Sequence, residues 1–443
     1  MQTAFLPIGV PTFDLVAAQK EFDDSVALIK KIDPNAAVPG EMLLSLDKLN
    51  SFMDGLDPDL IVMQNITFAN SAYCTAIISR FPECPVVLWT LAEPAVDGAR
   101  LRLNSLTGAY SAANCMKSLG KESFEYVYGG PEEEGTERSL GAFFKAAQLR
   151  KKLCSTTMAA VGHTPEGFGF GRALDSEMMR FFGVRLMSIE ARELMDKARS
   201  FDASSCAEYR KFFEKRCEGF ENLPQNNIDD FLRLLRAYDE FIKQNKVDLL
   251  SSRCWPDFFT SYGTPVCAVL SLLNDMGISS ACESDSYGSL SMYVASFFSG
   301  GPVFFGDPVH LDRKNGTVTY WHCGMAPSSL ACGLKAQIGV HPNRRIGPVM
   351  DFACKGNSEV TVFRIGRLPD ASFRVFIASG KSIECPKQFI GTSVVVKTSI
   401  DASELIDSSV HAGWEPHFVV AYGDIRLQLE AWARMTGLKI EIY

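Results

Sequence analysis

Short apolar runs alternate with amphipathic segments along the first two thirds of the chain. The runs Phe5–Val10, Asp59–Met63 and Pro85–Trp89 have the length of buried strands, and Val16–Ile32 carries its apolar residues at helical spacing. Alternation of this kind is typical of βαβ units built on a parallel sheet. We therefore predict a doubly wound α/β domain over residues 1–155.

A second set of the same kind follows the predicted helix Leu140–Leu153. Its predicted strands are Met158–Gly162, Val247–Leu250 and Ile278–Cys282, and its predicted helices are Ser204–Cys217, Ile228–Gln244, Pro265–Met276 and Ser286–Phe298. A further apolar run at Pro302–Gly306 has the length of a strand. These segments predict a second doubly wound α/β domain over residues 156–310.

Beyond Gly301 the pattern changes to β-branched runs separated by turn residues. The runs are Gly316–Trp321, Glu359–Arg364, Phe373–Ile377 and Ser393–Lys397. Their spacing predicts an antiparallel, barrel-like unit over residues 311–443, closed by a helix at Asp424–Thr436 with Gly437 as its C-terminal cap. The predicted fold class is α/β, with two doubly wound parallel-sheet domains followed by a C-terminal antiparallel β-barrel-like domain.

Composition and charge narrow the class of protein. The 443 residues carry a net charge of −8, which argues against nucleic acid as a partner because phosphate binding needs clustered Lys and Arg. No uninterrupted apolar segment is long enough to cross a membrane, and the N-terminus lacks a basic signal region, so we predict a cytoplasmic protein with no membrane partner. The 13 cysteines include no Cys-x-x-Cys pair, which favours reduced packing residues over disulfides or structural zinc.

Carboxylates follow two of the predicted strands. Glu283 comes directly after Ile278–Cys282, and Asp307 comes directly after Pro302–Gly306. Ligands of open α/β sheets collect at the carboxyl ends of strands, so these two acids are placed for function. Asp285 is better explained as the N-cap of the next helix, and a turn role before a proline remains the alternative for Asp307.

Two of the six histidines also lie at strand edges beside Gly or Pro. They are His322 in Tyr320–Gly324 and His417 in Trp414–Val420. Each alone is explained by a structural hydrogen bond. Together with Glu283 and Asp307 they form an oxygen and nitrogen donor set, which suits Mn²⁺, Mg²⁺ or Co²⁺ and disfavours structural zinc.

Several segments together resemble one enzyme superfamily. They are "LPIGVPTFD", "PVVLWTLAEP" with "LRLNSLTG", "AAVGHTPEGFGF", "ACESDSYGSLSMY", "WHCGMAPSS" and "PHFVVAYGD", and they extend along nearly the whole chain. In these segments the chain resembles the L-fucose isomerase and L-arabinose isomerase superfamily of metal-dependent aldose–ketose isomerases (EC 5.3.1 type), which includes relatives acting on the sulfonated sugar sulfoquinovose.

The resemblance implies roles for the four candidate residues. Glu283 and Asp307 correspond to the two metal-binding acids that also transfer the proton, and His417 corresponds to the C-terminal metal-binding histidine. His322 corresponds to a histidine of the metal shell in the arabinose branch, so it is either a ligand or a substrate contact here. A divalent ion, foremost Mn²⁺, would stabilise the cis-enediol intermediate while the acid–base pair moves a proton between neighbouring carbons.

The resemblance also implies a sugar-binding set and an assembly. The expected substrate-binding residues are Trp89, Arg253, Trp255, His322 and His341. Where the fucose branch has an asparagine before the final histidine, this chain has Pro416, so one sugar-hydroxyl contact would be absent. The resemblance implies an L-fucose-like or D-arabinose-like sugar or a sulfonated hexose, sulfoquinovose, as the substrate. Arg253, Arg344, Arg345 and His341 are candidates for an anion subsite, with a solvated loop as the alternative for the last three. A homo-oligomer, trimer or hexamer, with sites completed between subunits is expected.

Two other classes of protein remain open from the sequence. A non-catalytic sugar-binding protein on the same fold would not require Glu283, Asp307 and His417 together. A dinucleotide-dependent dehydrogenase would need the full G-x-G-x-x-G spacing, which the "GFGFG" of Gly167–Gly171 lacks.

Overall fold

The chain forms two compact units in a computed structural model that describes all residues from Met1 to Tyr443. The first unit comprises Met1–Lys151 together with Glu430–Gly437, and the second comprises Lys152–Leu429 together with Leu438–Tyr443. The predicted domain boundaries at residues 155 and 310 stay a prediction.

Strands and helices account for most of the chain. The strands are β1 (Thr3–Ile8), β2 (Leu60–Asn65), β3 (Val86–Thr90), β4 (Glu125–Tyr128), β5 (Thr157–Val161), β6 (Arg185–Ile189), β7 (Cys217–Glu218), β8 (Leu249–Ser252), β9 (Ser279–Ala281), β10 (Phe304–Asp312), β11 (Thr317–His322), β12 (Ala336–Gly339), β13 (Val349–Met350), β14 (Glu359–Arg367), β15 (Phe373–Ile383), β16 (Thr392–Thr398), β17 (Phe418–Tyr422) and β18 (Lys439–Ile442). The helices are α1 (Leu15–Ile32), α2 (Leu46–Met53), α3 (Ser71–Arg80), α4 (Ser105–Ser118), α5 (Glu134–Leu153), α6 (Asp175–Glu177), α7 (Ala191–Arg199), α8 (Ala207–Arg216), α9 (Gln225–Asn245), α10 (Cys267–Asp275), α11 (Ser286–Ser299), α12 (Ala402–His411) and α13 (Arg426–Met435).

The first unit is organised around a parallel sheet with the strand order β1-β2-β3-β4. Every residue of β1, β2 and β3 is buried, which explains their continuous apolar character. Two isolated parallel bridges, Ala4 with Ala37 and Ile8 with Leu43, extend the sheet on the other side of β1. Successive segments are therefore added first on one side of β1 and then on the other, as in a doubly wound sheet.

The second unit contains a parallel sheet with the strand order β6-β5-β8-β9. Its order reverses between β5 and β8, the kind of switch point where open α/β sheets hold ligands. The carboxyl ends of β8 and β9 lead directly into the segments that carry Trp255 and Glu283.

A closed antiparallel barrel of six strands forms the rest of the core of the second unit. The strand order is β14-β17-β10-β11-β16-β15, and β15 pairs with β14 to close it, while β18 adds to β15 in parallel. Closure leaves no free edge among the six strands. A small sheet of β13, β12 and β7 completes the second unit.

Most predicted elements are confirmed with ends shifted by a few residues. The predicted bounds of the strand Pro302–Gly306 were wrong, because β10 covers Phe304–Asp312. Asp307 therefore lies within the strand and not after it. Pairing with β11 continues through its polar half, which an apolar pattern does not reveal. The predicted helix Ser204–Cys217 is a 3₁₀ turn, Ala203–Cys206, followed by α8. None of the helices combines the length and apolar content that crossing a membrane requires.

Candidate functional site

Two carboxylates and one imidazole meet between the end of β9 and the rim of the barrel. His417 Nε2 lies 3.1 Å from Glu283 Oε2 and 3.5 Å from Asp307 Oδ1. The barrel register explains why Asp307 lies near His417, because Gly306 of β10 pairs with Phe418 of β17. The next step along this antiparallel ladder places Asp307 beside His417. The structure thus brings together the three residues that the sequence singled out.

Glu283 occupies an unusual backbone conformation. Its φ is +58° and that of Ser284 is +53°, in the left-handed region that side chains other than glycine rarely adopt. The turn is held by Ser284, whose N–H donates to Ser252 O and whose hydroxyl donates to Gly162 O. Conformations of this kind cost about 1–3 kcal/mol each and concentrate at functional sites. The turn therefore positions Glu283 at the expense of backbone strain.

His417 is oriented by a buried ion pair. Its Nδ1 lies 2.9 Å from Asp285 Oδ2, and Arg364 donates to both oxygens of Asp285 at 2.6 and 3.1 Å. The Asp285 carboxylate also accepts from the Gly288 N–H at 2.8 Å, which caps α11. Because Nδ1 is held by the Asp285 carboxylate, Nε2 is directed toward Glu283 and Asp307. This is the carboxylate–histidine arrangement that supports metal-bound imidazoles.

The surrounding charges move the pKa values of these groups apart. Burial alone would lower the pKa of His417, but hydrogen bonds to Asp285 and Glu283 raise it to about 10. Burial raises the pKa of Asp307 to about 6, with the negative charges of Glu283 and Asp285 adding to the rise. Burial would also raise the pKa of Glu283, but His417, His322 and Trp255 hold it below its ordinary value.

His322 lies at the end of β11 with one ring nitrogen already engaged. Its Nδ1 accepts a hydrogen bond from the Cys323 N–H at 2.9 Å, and burial lowers its pKa to about 4. The neutral ring with an accepting Nδ1 carries its proton on Nε2. That tautomer favours a hydrogen-bond donor, whereas a metal ligand needs the Nε2 lone pair. Its ring lies near enough for ligation, and both roles stay predictions.

Two sets of potential metal ligands lie side by side. Potential ligand atoms of Glu283, His322 and His417 lie within 4.8 Å of one another, and so do the thiols of Cys254, Cys267 and Cys282. The first set, with Asp307, offers carboxylate oxygen and imidazole nitrogen, which suit a divalent ion that must also accept sugar hydroxyls. The second is a soft donor set suited to thiophilic ions. The chemistry of the donors therefore fits the predicted Mn²⁺, Mg²⁺ or Co²⁺ at the first set.

Aromatic rings enclose His417. Phe305 and Phe170 place their ring centroids 4.7 and 5.4 Å from the imidazole centroid, and Phe168 packs edge-on against Trp255. The glycine-rich run Gly167–Gly171 supplies two of these rings. Gly171 itself packs so closely on Asp285 that a Cβ there would lie 2.8 Å from the Asp285 Cα. The run that superficially resembles a dinucleotide motif forms the wall of this site.

A cavity of about 250 Å³ opens beside Glu283. Its polar lining comes from Glu283, Trp255, His322, His341, Asn343 and Arg344, and the thiols of four cysteines line it as well. Trp255 Nε1 donates to Glu283 Oε1 at 3.1 Å. Three of the predicted substrate-binding residues therefore share one cavity with a predicted catalytic carboxylate.

The other two predicted substrate-binding residues lie elsewhere. Arg253 Nε pairs with Asp257 Oδ2 at 2.7 Å, and Arg253 lines a different cavity of the second unit. Trp89 belongs to the first unit, where it is fully buried in β3 and its Nε1 donates to Gly129 O. Neither residue is among those that line the cavity of Glu283, and their roles stay predictions.

Sequence reasoning missed the partners that orient His417. Asp285 was interpreted only as a helix cap, and it is one, but it also bridges Arg364 and His417. Arg364 lies fully buried in β14. A buried arginine in the middle of an apolar strand pattern was the available signal, because such a charge requires a partner. The cysteine cluster gave no signal, since its members are far apart in sequence.

Comparison with models of known protein families finds no match. Curated relatives nevertheless align along the full chain. The sulfoquinovose isomerase of Clostridium sp. (strain MSTE9) is 56% identical over 100% of this chain and 99% of its own length. The sulfoquinovose isomerases of Priestia aryabhattai and Alkalicoccus urumqiensis are 33% and 30% identical, over 99% and 98% of this chain and 98% of their own lengths.

Among solved structures, D-threo-3-hydroxyaspartate dehydratase from Delftia sp. HT23 aligns at 10% identity over 94% of this chain and 90% of its own, with a TM-score of 0.14, too low for any inference. The full-length relatives carry the assignment, and they confirm the resemblance to the isomerase superfamily in its sulfoquinovose branch. The chain belongs to the sulfoquinovose isomerase family.

Proposed function

We propose that this protein interconverts the aldose sulfoquinovose and its 2-ketose with the help of one divalent ion. The observation that carries the proposal is the convergence of Glu283, Asp307 and His417 in a chain that is 56% identical to a sulfoquinovose isomerase. Glu283, Asp307 and Nε2 of His417 would hold the ion. When bound, it would act as a Lewis acid on the neighbouring sugar oxygens O1 and O2.

The two carboxylates have different protonation preferences, and this difference assigns their roles. The pKa of Glu283 is lowered, which keeps it ionised as the base, whereas that of Asp307 is raised, which suits a carboxylate that takes up and passes on a proton. Glu283 removes the proton from C2, and Asp307 passes the O2 proton to O1. Return of the carbon proton from Glu283 to C1 then gives the ketose through the cis-enediol.

His417 and Trp255 are positioning residues in this scheme. Trp255 donates to Oε1 of Glu283 and thereby fixes the orientation of the carboxylate. His417 is fixed through Asp285 and Arg364, so its Nε2 stays directed at both carboxylates. The aromatic rings around His417 exclude water, which strengthens the electrostatic interactions among these groups.

A non-catalytic sugar-binding protein remains the alternative from another class. Sugar binding alone uses hydrogen bonds and aromatic stacking and does not need two carboxylates of unequal pKa beside an oriented imidazole. The arrangement around His417 therefore favours catalysis.

The test is removal and return of the metal. Purified protein is dialysed against EDTA, then supplied with Mn²⁺, Mg²⁺ or Co²⁺, and ketose formation is measured with sulfoquinovose, L-fucose, D-arabinose and L-arabinose. We expect turnover of sulfoquinovose that disappears with EDTA and returns with the ion. Sugar-induced thermal stabilisation without ketose formation at any metal concentration would establish the binding-protein alternative.

A matched pair of variants tests the base. Glu283→Gln keeps the size of the side chain and should abolish turnover, whereas Glu221→Gln, on an exposed turn, should leave it unchanged. Near-native turnover by Glu283→Gln would remove Glu283 from the mechanism. The expected trimer or hexamer and the cytoplasmic location belong to the same proposal, and light scattering of the purified protein measures the assembly.

A further inference from the structure

One loop at the edge of the cavity is held by internal hydrogen bonds but leaves two polar side chains, those of Asn343 and Arg344, without hydrogen bonds to the rest of the fold. In the segment from His341 to Ile346, the His341 N–H donates to Ile346 O and the Arg345 N–H donates to His341 O. The His341 side chain fixes the loop from within, because its Nδ1 accepts from the N–H groups of Asn343 and Arg344 at 3.2 and 3.3 Å. The loop is therefore preorganised by one buried imidazole.

The His341 imidazole can donate a hydrogen bond only through Nε2. Its Nδ1 accepts two backbone N–H groups, so the neutral ring carries its proton on Nε2. His341 is only 5% exposed, its ring packs edge-on against Phe259 at 4.9 Å, and burial keeps its pKa below the ordinary value. His341 lines the cavity of Glu283, and it is a neutral hydrogen-bond donor there.

The next two side chains add further donors. Asn343 and Arg344 line the same cavity, and the fold uses neither side chain, since their only hydrogen bonds are the backbone ones to His341. Arg344 differs in this from Arg253, whose guanidinium is paired with Asp257. It also differs from Arg345, which does not line the cavity. Among the arginines considered for an anion subsite, Arg344 alone is both unpaired and at the cavity.

We propose that His341, Asn343 and Arg344 form the subsite that binds the sulfonate group of the substrate. A sulfonate is a permanent anion with three oxygen acceptors, and the loop offers a guanidinium, an amide and an imidazole N–H as donors. The assignment rests on the proposed function for the identity of the sugar. It goes further, because it orients the sugar with its sulfonate at this loop and its C1–C2 end at Glu283.

The test compares Arg344→Met with Arg345→Met, two neighbouring exposed arginines of one loop. Ketose formation is measured with sulfoquinovose and with 6-deoxyglucose, which has the same ring without the sulfonate. Loss of a charged hydrogen bond at an exposed site should raise KM for sulfoquinovose roughly tenfold in Arg344→Met. We expect kcat, the Mn²⁺ affinity and the kinetics with 6-deoxyglucose to stay unchanged, and Arg345→Met to behave like the unaltered protein.

Equal KM values in the two variants, or an equal loss with both sugars in Arg344→Met, would overturn the subsite. A second arm does not depend on turnover, so failure of the proposed function stays distinguishable. Methanesulfonate is titrated into each protein in a thermal-shift assay, with the neutral isostere dimethyl sulfone as the control ligand. Stabilisation by methanesulfonate alone, lost in Arg344→Met and kept in Arg345→Met, supports the subsite, and its absence in the unaltered protein contradicts it.

Discussion

Replacement of Asp285 by Asn tests whether the buried ion pair orients His417. Asn has nearly the same shape but only one acceptor oxygen, whereas the Gly288 N–H and His417 Nδ1 contact different oxygens of Asp285. The change therefore removes the negative charge together with one of these two acceptors. Arg364 then remains ionised and fully buried, with its carboxylate partner gone. The His417 imidazole also loses the negative charge of Asp285, which would strengthen Nε2 as a ligand of the proposed ion.

The expected loss of stability in Asp285→Asn follows from the burial of the ion pair. Removing one partner of a buried ion pair costs about 3–5 kcal/mol of unfolding free energy, because the other charge is left uncompensated. Both Asp285 and Arg364 have side-chain exposures of 1% or less, so this range applies in full. Loss of a residue that supports a metal-bound imidazole lowers metal affinity about 10- to 100-fold, or roughly 1.4–2.7 kcal/mol. We expect both effects in Asp285→Asn.

Chemical denaturation measures the first effect, and Mn²⁺ titration followed by electron paramagnetic resonance measures the second. Asp401→Asn is the matched control, since Asp401 also caps a helix, α12, but lies exposed and away from any histidine ligand. The control should match the unaltered protein in both assays. An Asp285→Asn protein with unchanged stability and unchanged Mn²⁺ affinity would refute the orienting role.

Three further predictions concern the same site. Because protons compete with the proposed ion at His417 and, below about pH 6, also at Asp307, Kd for Mn²⁺ should rise as pH falls, and the slope of log Kd against pH should change from about −1 to about −2 near pH 6. In Asp307→Asn the slope should stay at about −1 over the whole pH range, because only His417 still exchanges a proton. Isothermal titration of Mn²⁺ at several pH values measures Kd, and a second steepening in this variant would contradict the prediction. Trp255→Phe removes a hydrogen bond to Glu283, so the pKa of that carboxyl and the acidic limb of the pH–rate profile should rise; an unmoved limb would contradict this. Gly288→Ala places a Cβ 2.7 Å from Asp285 Oδ2, and its overpacking should cost about 1–3 kcal/mol in denaturation experiments, with an unchanged midpoint as the contrary result.

The local pattern of apolar and polar residues was enough to predict helices and strands but not the contacts between them. The period of the apolar residues located α1 and α9, and the β-branched runs located β14, β15 and β16, because each signal is contained within its own segment. The closure of the barrel, β15 to β14, and its register with β17 depend on pairings between distant segments. No spacing in the sequence encodes those pairings directly.

The same distinction separates the predicted from the missed parts of the site. Glu283 and Asp307 were found because acids after apolar runs stand out, and His417 because it lies at a strand edge beside Pro416 and corresponds to a metal-binding histidine in the resemblance. The link from Asp285 to Arg364 depends on the packing of α11 against β14. A helix cap and a strand arginine have no visible relation until that packing is known, so Asp285 was interpreted only by its local role.

Negative charge exceeds positive charge among the side chains around His417. Glu283, Asp285 and Asp307 bring three carboxylates to a single imidazole, and Arg364 compensates only one of them. Hydrogen bonds to Asp285 and Glu283 raise the pKa of His417 to about 10, and burial, with the charges of Glu283 and Asp285 adding to it, raises that of Asp307 to about 6. Both shifts favour a bound proton, which lowers the negative charge of the site. Two protons and one divalent ion carry the same charge. The shifted pKa values and the donor set therefore both favour the proposed divalent cation at this site.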